Sequence, residues 1–312
     1  DAKVRLFLNS ANFSRIIFQE SFYQTKKHSD YQQIIIKTFF LATFTSSGSF
    51  NKQNQIKIAA PLFSIITVCY NAAADLRRTI GSVDAQTFRR FEHIIIDGAS
   101  TDDTPVVLQD SASAGRKIVS EPDQGIYDAM NKGLGMASGD YLIFLNAGDR
   151  FHGSDSLQIY ADSIESSDYP AIVYGQTSLV DAEGNYVGER HLTAPEQLTY
   201  KSFAQGMLVC HQSMAVLRRI APLYNTRYRF SADYDWCVRC LQHSRRNVYT
   251  GRIMCDYLSE GMTTANRRAS LVERFRIMSH YYGFFPTLAR HFGFMRRFIR
   301  YNKIMSNQHK QL

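Results

Sequence analysis

The stretch YLIFLNAGD, Tyr141–Asp149, decides the fold class of this chain. Its first five residues are apolar or aromatic without alternation. They predict a strand that is buried on both faces, as in a parallel sheet covered by helices. The strand ends in Asn-Ala-Gly-Asp; small residues let a ligand approach the backbone, and open α/β sheets bind ligands at the carboxyl ends of strands. This ending indicates a binding site, with a solvated glycine-containing turn as the alternative.

Strands and helices alternate on the amino-terminal side of this stretch. Three further apolar segments predict strands: FSIITVCYN at 63–71, FEHIIID at 91–97 and KIVSEP at 117–122. The helical spacing of Leu76, Ile80 and Val83 predicts a helix over residues 73–86. A second helix is predicted from GIYDAMNKGLGMAS at 125–138. This alternation is typical of an α/β fold with a doubly wound, mostly parallel sheet.

The second half of the chain is less regular. AIVYGQTSLVDAEGNYVGERHL at 171–192 predicts an antiparallel hairpin around a turn that begins at Asp181. FSADYDWCVRCLQH at 230–243 predicts a turn that enters a helix, with Trp236 and Leu241 in the core. We therefore expect a smaller, mixed half after the parallel sheet.

The composition of the 312 residues, 45% of them hydrophobic, allows an ample core. Five cysteines are scattered and nothing at the amino end resembles a signal peptide, so we expect reduced thiols and a cytosolic setting. Cys237 and Cys240 lack a second pair at zinc-finger spacing, so we expect core thiols. Of the net charge of +8, residues 267–303 hold eight Arg and one Lys against one acid, Glu273. The tail rather than the body is expected to meet polyanions.

Three regions differ in composition. Residues 1–60 are rich in Ser, Gln, Asn and Lys and predict an irregular N-terminal extension; their apolar patch at 34–44 is too short to span a bilayer. Residues 61–264 carry the strand and helix pattern. In residues 265–312, Arg alternates with apolar residues at helical spacing. This pattern predicts C-terminal helices that form a basic amphipathic tail, with a break at GFFP, 283–286.

Polar residues follow the ends of the predicted parallel strands. Tyr70 and Asn71 follow the first strand, an acidic loop at 97–102 the second, and Asn146 to Asp149 the fourth. Since these strand ends share one edge of the sheet, we expect the side chains to lie close together. Clustered carboxylates repel each other, and a hard divalent cation shared with nucleotide phosphates is one solution. GLGMASG, 133–139, follows a helix instead of opening one and does not support a phosphate-binding loop.

Five motifs carry a resemblance to a known family: SIITVCYN, IIIDGASTDDT, SEPDQGIYDAMNKGLGMASGDYLIFLNAGD, CHQS and SADYDW. In this order and spacing they resemble family 2 glycosyltransferases of the GT-A fold, especially bacterial enzymes of exopolysaccharide, colanic-acid and lipopolysaccharide assembly. The resemblance covers about residues 61–264. It implies a Rossmann-like nucleotide-binding half, a mixed acceptor-side half and the inverting transfer of a hexose-type sugar.

The resemblance also implies roles for single residues on the donor side. Tyr70 stacks on the nucleotide base and Asp97 hydrogen-bonds to it. The same loops supply three further nucleotide-binding residues: Asn71, Ser100 and Asp102. Asn146 and Asp149 occupy the metal-binding motif, so Asp149 is the one charged ligand for Mn²⁺ or Mg²⁺.

On the acceptor side, the resemblance places the catalytic base in SADYDW. Asp233 has the usual position and would deprotonate the acceptor hydroxyl, and Asp235 is the alternative. A helix cap is the structural interpretation of Asp233, and it is compatible with catalysis. His211 and Gln212 of CHQS would line the acceptor side.

The implied partners are a nucleotide-sugar donor and a glycan or polyprenyl-diphosphate-linked acceptor. Enzymes of this kind often act at the inner leaflet. With the basic tail, this implies a cytoplasmic protein bound peripherally to the inner face of the plasma membrane. There is no nucleic-acid-binding motif. A sugar-nucleotide synthase would need a Gly-rich loop after the first strand, and the sequence there has none. A processive membrane synthase would need long apolar helices, and no apolar run of the sequence is long enough. A non-catalytic sugar-nucleotide-binding module is the alternative.

Overall fold

A computed structural model describes residues 60–113, 115–259 and 267–293, except the side chain of residue 267. The predicted extension over residues 1–60 lies outside the described residues apart from its last position, and so do residues 260–266 and 294–312. Within the described part of the chain, no helix is both long enough and apolar enough to cross a membrane.

Nine strands and seven helices, together with short 3-10 turns, form the described structure. The strands are β1 Phe63–Cys69, β2 Phe91–Asp97, β3 Arg116–Ser120, β4 Tyr141–Phe144, β5 Arg150–Phe151, β6 Ile172–Val180, β7 Tyr186–Glu189, β8 Met214–Leu217 and β9 Asn247–Leu258. The helices are α1 Ala73–Asp84, α2 Thr104–Asp110, α3 Ile126–Met136, α4 Ser156–Ser166, α5 Ala232–His243 and α6 Arg267–Tyr282, followed by α7 over 284–293.

The strands form one sheet in the order β3-β2-β1-β4-β8-β6-β9-β5, with β7 paired to β6. The first four are parallel to one another. In the second half, β8 is antiparallel to β4 and β6, whereas β9 is parallel to β6. The sheet confirms the predicted α/β fold, with a parallel first half and a mixed second half.

Side chains of the parallel strands alternate between the two faces of the sheet, and apolar cores cover both faces. Ile66 and Phe144 belong to the core that includes residues of α3 and α5, whereas Ile65 and Ile143 belong to the opposite core with residues of α1 and α4. All four are buried. Because helices cover both faces, apolar residues follow one another along these strands, which explains the lack of alternation.

The second half builds its core around Trp236 of α5. Its indole is fully buried, stacks on Tyr224 with ring centroids 5.1 Å apart, and meets Phe144 of β4 edge-on at 5.4 Å. Cys237 and Cys240 are buried beside it, as predicted for core thiols. The aromatic contacts join the mixed second half to the parallel sheet through one shared core.

The predicted hairpin is also present, since β6 and β7 pair antiparallel around the turn at Asp181. One predicted boundary differs, because α1 ends at Asp84 instead of continuing to residue 86. Gln86 is buried; its amide donates to Gly153 O at 2.8 Å and accepts from Leu157 N at 2.9 Å. The chain leaves the helix early because this side chain turns inward to bridge to α4.

Helix α6 packs against the core of the mixed half. Ile277 and Met278 are buried in the core that contains α5, and the Arg274 guanidinium lies 5.4 Å from the centroid of the Tyr234 ring. The helix ends before Gly283, whose φ of 87° is in the left-handed region. This confirms the predicted break, and it shows that the first part of the basic tail is docked.

A buried carboxylate braces the amino-terminal side of the parallel sheet. Glu92 of β2 accepts hydrogen bonds from Ser64 Oγ at 2.6 Å and Ser138 N at 2.6 Å, and pairs with Lys117 Nζ at 2.6 Å. Burial acts to raise its pKa, but these partners outweigh burial and lower the pKa of Glu92 to about 2 from an ordinary value of 4.5. The ionised form therefore stabilises the fold.

We expect Glu92→Gln to lower the free energy of unfolding by about 1–3 kcal/mol at pH 7, because the ion pair is lost. Because the pKa of Glu92 is lower in the folded state, its carboxylate stabilises the fold fully above the ordinary pKa of 4.5. The difference in unfolding free energy between wild type and variant should therefore shrink as the pH falls from 4.5 toward 2. Urea unfolding at several pH values measures it, with the exposed Glu165→Gln as control. A difference that does not change with pH would contradict the assignment.

Candidate active site

Three parallel strands deliver the predicted nucleotide-binding residues to one edge of the sheet. Cys69 at the end of β1 is paired with Asp97 of β2, and β4 lies on the other side of β1. The ladder continues past β4, because Ala147 N donates to Val68 O at 3.1 Å. The Asn-Ala-Gly-Asp turn therefore lies against the end of β1. Tyr70 follows β1 with 62% of its surface exposed, so its ring is available to a planar ligand.

Loop residues at this edge hold one another in place. Asn71 has a φ of 49°, a conformation that Asn tolerates better than most residues. Its backbone N–H donates to Ser100 Oγ at 2.8 Å, and its side-chain oxygen accepts from Thr101 N at 2.8 Å. Asp102 accepts from Ala73 N at 3.3 Å. Asn71, Ser100 and Asp102 thus lock the loops after β1 and β2 together.

Asp97 is buried beneath these loops, with no exposed surface. Its carboxylate accepts from Ser120 Oγ at 2.6 Å, from Ser100 N at 3.1 Å and from the Ser100 hydroxyl. The weakly donating thiol of Cys69 lies 3.8 Å away, and burial raises the pKa of that thiol. Asp97 therefore anchors the loop after β2 to the end of β3.

The Asn-Ala-Gly-Asp turn requires its glycine. Gly148 has a φ of 99°, and a Cβ there would lie 2.7 Å from Leu258 Cδ2. The following Asp149 is 3% exposed and accepts from Leu258 N at 3.1 Å and from Gln212 Nε2 at 2.9 Å. Burial raises the pKa of Asp149 to about 7, although both hydrogen bonds oppose the shift. No positively charged side chain of the described residues contributes to this shift.

Two oxygens of this turn fit a hard divalent cation. Asn146 Oδ1 is buried and accepts no hydrogen bond, and a cation near Asp149 would favour its ionised form. The described residues contain no group of three or more His, Cys, Asp or Glu that could hold a metal ion. Phosphate and water oxygens would have to complete the coordination, as is usual for Mg²⁺ with nucleotides.

Asp233 lies in the first turn of α5. Its Oδ1 accepts from Tyr234 N at 2.8 Å and from the Tyr127 hydroxyl at 3.4 Å, so it does satisfy one N–H of the helix start. Its Oδ2 accepts no hydrogen bond from the described residues and lies 3.9 Å from His211 Nδ1. The side chain is 18% exposed. One carboxylate oxygen is therefore available to a ligand.

His211 is buried beside this carboxylate, and neither of its ring nitrogens has a hydrogen-bond partner within the described part of the chain. Burial lowers the pKa of His211, against the opposing charge of Asp233, so the neutral ring is favoured at pH 7. The next residue, Gln212, donates to Asp149. The segment His211–Ser213 thus connects the turn after β4 to the candidate base.

Asp235 has a different environment from Asp233, because residues two apart point to different sides of a helix. Its Oδ2 accepts from Arg239 Nε at 2.8 Å and its Oδ1 from the Tyr281 hydroxyl at 2.7 Å. The residue is 3% exposed. Both oxygens are thus engaged, Oδ2 within α5 and Oδ1 in a contact that joins α5 to α6.

Sequence reasoning missed two acids near the site. Asp123 follows β3, and its carboxylate approaches Gly98 and Tyr70 at the rim. Its position after a strand end was a usable signal. Glu273 of α6 accepts the N–H groups of Arg229, Phe230 and Ser231 at 2.6–2.7 Å and orders the approach to Asp233. The only signal for Glu273 was its place as a lone acid in a basic run.

The parallel half has polar residues at its strand ends, and the mixed half brings Asp233 close to them. This is the architecture of GT-A glycosyltransferases. The chain belongs to the family described as Glycosyl transferase family 2, whose sequence profile matches residues 64–221. The protein is therefore a glycosyltransferase.

Named relatives agree with this assignment. The chain is 35% identical over 193 residues to the PGL/p-HBAD biosynthesis glycosyltransferase of Mycobacterium bovis, covering 60% of this chain and 72% of the relative. It is 30% identical over 211 residues to the amylovoran biosynthesis glycosyltransferase AmsB of Erwinia amylovora, covering 62% and 69%. Both relatives are named as glycosyltransferases, one of PGL/p-HBAD biosynthesis and the other of amylovoran biosynthesis.

Among solved structures, S. aureus TarS 1–349 superposes with a TM-score of 0.55 at 18% identity, covering 75% of this chain and 73% of TarS 1–349. The same part of TarS has been crystallised with UDP and with UDP-GlcNAc. At this identity the likeness shows that the fold is shared.

Proposed function

We propose that the protein is an inverting glycosyltransferase that moves a sugar from a nucleotide-sugar donor to a hydroxyl of a glycan or lipid-linked acceptor in bacterial surface polysaccharide assembly. The observation that carries this proposal is the free Oδ2 of Asp233, 3.9 Å from His211. The neighbouring Gln212 bonds to Asp149 of the donor-side turn. A candidate base thus lies one short segment away from the candidate diphosphate site.

The chemistry follows from these positions as a single displacement. Asp233 takes the proton of the acceptor hydroxyl while the hydroxyl oxygen attacks the anomeric carbon. The bond from that carbon to the diphosphate oxygen breaks, and the nucleoside diphosphate leaves with the bonding electrons. Because the His211 ring is neutral, it adds no positive charge that would oppose the transfer of the hydroxyl proton to Asp233. Attack opposite the leaving group inverts the configuration.

On the donor side, the exposed ring of Tyr70 would stack on the base, and the locked loops that contain Asn71, Ser100 and Asp102 would hold the nucleoside. Asp97 supports those loops from below. Asn146 and Asp149 would hold Mn²⁺ or Mg²⁺, which when bound neutralises diphosphate charge. The complexes of TarS with UDP and UDP-GlcNAc support a nucleotide-sugar donor for this fold.

The proposal is tested by incubating the full chain with UDP-, GDP- and dTDP-sugars, with Mn²⁺ or EDTA, and measuring released nucleoside diphosphate. We expect Mn²⁺-dependent release from at least one donor. A protein that gains thermal stability with a sugar nucleotide but releases no nucleoside diphosphate with any acceptor would be a binding module. That result would overturn the enzyme assignment in favour of the second candidate function.

We expect Gln212→Ala to weaken the response to Mn²⁺ about 10- to 100-fold, because residues that orient a metal ligand have effects of this size. Gln212 is buried and fixes Asp149 Oδ2 at 2.9 Å. Thermal shift with nucleoside diphosphate across a Mn²⁺ series measures the effect. The control is Gln158→Ala on the exposed side of α4. Equal Mn²⁺ responses of the two variants would contradict the metal assignment.

The C-terminal helices support a membrane contact as part of this function. Their exposed apolar side chains are Leu271, Val272, Phe284, Phe285 and Phe292. Arg268 and Arg276 of the same helix α6 as Leu271 and Val272 are exposed as well. Apolar side chains in the acyl boundary with Arg at the phosphates are the features of a peripheral helix. We infer attachment to an anionic leaflet, the cytoplasmic face of the plasma membrane.

We expect the full chain to sediment with vesicles that contain phosphatidylglycerol at low salt and less at high salt, because each Arg near the surface contributes about 1 kcal/mol. Phe284→Ala with Phe285→Ala should reduce binding at least about tenfold, since two exposed rings lose their apolar environment. Tyr186→Ala with Val187→Ala removes equally exposed residues of β7 and serves as control. Equal binding of both double variants would refute the contact.

A further inference from the structure

Three residues from different strand ends meet at the rim of the nucleotide edge: Tyr70 after β1, Gly98 after β2 and Asp123 after β3. A Cβ on Gly98 would lie 2.6 Å from Asp123 Oδ2 and 3.3 Å from Tyr70 Cδ2. The missing side chain therefore lets the carboxylate and the ring approach the same point. A planar group stacked on the exposed Tyr70 ring would have the Asp123 carboxylate beside it.

Asp97 and Asp123 differ in what their carboxylates already bind. Asp97 has no exposed surface and takes donors from Ser100 and Ser120. Asp123 is half-buried, and Gly125 N donates to its Oδ1 at 2.8 Å. Nothing in the described structure donates a hydrogen bond to Asp123 Oδ2. The acid with a free acceptor at the rim is therefore Asp123.

We infer that Asp123 reads the nucleotide base, by accepting an N–H from the edge of a base stacked on Tyr70. Asp97 then acts as the anchor of the loop and not as the reader. The inference rests on the proposed function, because it concerns the donor site of that reaction. Gly98 is part of this base-binding site, since any side chain there would separate the Tyr70 ring from the Asp123 carboxylate.

A carboxylate selects bases by what their edges present. An ionised Asp offers only acceptors. Uracil, thymine and guanine present a ring N–H at the corresponding position, whereas cytosine and adenine present a ring nitrogen lone pair. If that lone pair lies against a carboxylate, two hydrogen-bond acceptors face each other and repel. This repulsion disfavours the binding of cytosine and adenine. The site should therefore take uridine, thymidine or guanosine diphosphates and reject cytidine and adenosine diphosphates.

The test is calorimetric titration of the full chain with UDP, GDP, CDP and ADP in Mn²⁺. The measured quantity is the ratio between the higher affinity of the pair UDP and GDP and the higher affinity of the pair CDP and ADP. In the wild type this ratio should be at least about ten. Asp123→Asn keeps the bond from Gly125 N but offers a donor as well as an acceptor, so this ratio should fall about 10- to 100-fold. Asp110→Asn, on the exposed end of α2, is the matched control and should keep the ratio.

Two results would overturn the inference. One is an unchanged ratio in Asp123→Asn, and the other is a wild-type protein that binds all four nucleotides equally. If the enzyme turns over a sugar donor but the ratio of nucleotide affinities is the same in wild type and Asp123→Asn, the inference alone fails. If no nucleotide binds even to wild type, the proposed function fails with it.

Discussion

Asp233→Asn should lower kcat for sugar transfer about 10²- to 10⁴-fold and leave the affinity for nucleoside diphosphate unchanged. The amide keeps the hydrogen bond from Tyr234 N, so the start of α5 is preserved. It cannot accept the hydroxyl proton, so the barrier to attack rises. Initial rates at saturating donor and acceptor measure kcat, and titration with nucleoside diphosphate measures binding.

Asp235→Asn is the matched comparison, since it makes the same change two residues away. Asp235 has both oxygens engaged by Arg239 and Tyr281, so we expect lower stability with kcat retained at a temperature where the variant is folded. The unfolding free energy should fall by about 1–3 kcal/mol, the range for a buried polar group that loses a partner. A kcat loss in Asp235→Asn that matches or exceeds the loss in Asp233→Asn would exchange their roles.

Trp236→Ala should destabilise the protein by about 3–5 kcal/mol, the usual cost of truncating a buried Trp. The indole is fully buried between Tyr224 and Phe144, and its Nε1 donates to Pro222 O at 2.8 Å. The change therefore leaves a cavity and an unpaired carbonyl. Because Trp236 is the only tryptophan, urea unfolding should be followed by circular dichroism rather than by fluorescence.

Two variants calibrate this effect. Trp236→Phe keeps a ring between Tyr224 and Phe144 and should cost less than Trp236→Ala. Tyr186→Ala removes a side chain that is 64% exposed and should change the unfolding free energy by no more than about 0.5 kcal/mol. If Trp236→Ala costs no more than Tyr186→Ala, the two halves of the fold do not share the core around Trp236.

The sequence predicts most of the parallel half because its signals are local. Unbroken apolar runs specify strands covered on both faces, and Gly283 marks the break between α6 and α7. The early end of α1 was not predictable from periodicity, since it depends on a bridge from Gln86 to α4, 71 residues away in sequence. Tertiary contacts of this kind override local preference.

The candidate site was predictable in its residue types but not in its partners. Strand-end positions indicated Tyr70, Asp97 and Asp149. No local pattern shows that Asp97 is saturated by Ser100 and Ser120, or that the backbone of Leu258 donates to Asp149 across 109 residues. The contacts of Asp97 join the ends of two parallel strands, and the contact of Leu258 brings the mixed half against the parallel half. They decide which acids are free for a ligand.

The central claim is that donor and base share one site at the carboxyl edge of the sheet. A crystal structure with a non-hydrolysable sugar nucleotide and Mn²⁺ tests it most directly. We expect the base against the Tyr70 ring, the diphosphate at the Asn146–Asp149 turn and Asp233 facing the anomeric carbon from the side opposite the diphosphate. A nucleotide bound away from Tyr70, or an anomeric carbon beyond the reach of Asp233 and its acceptor, would contradict the account.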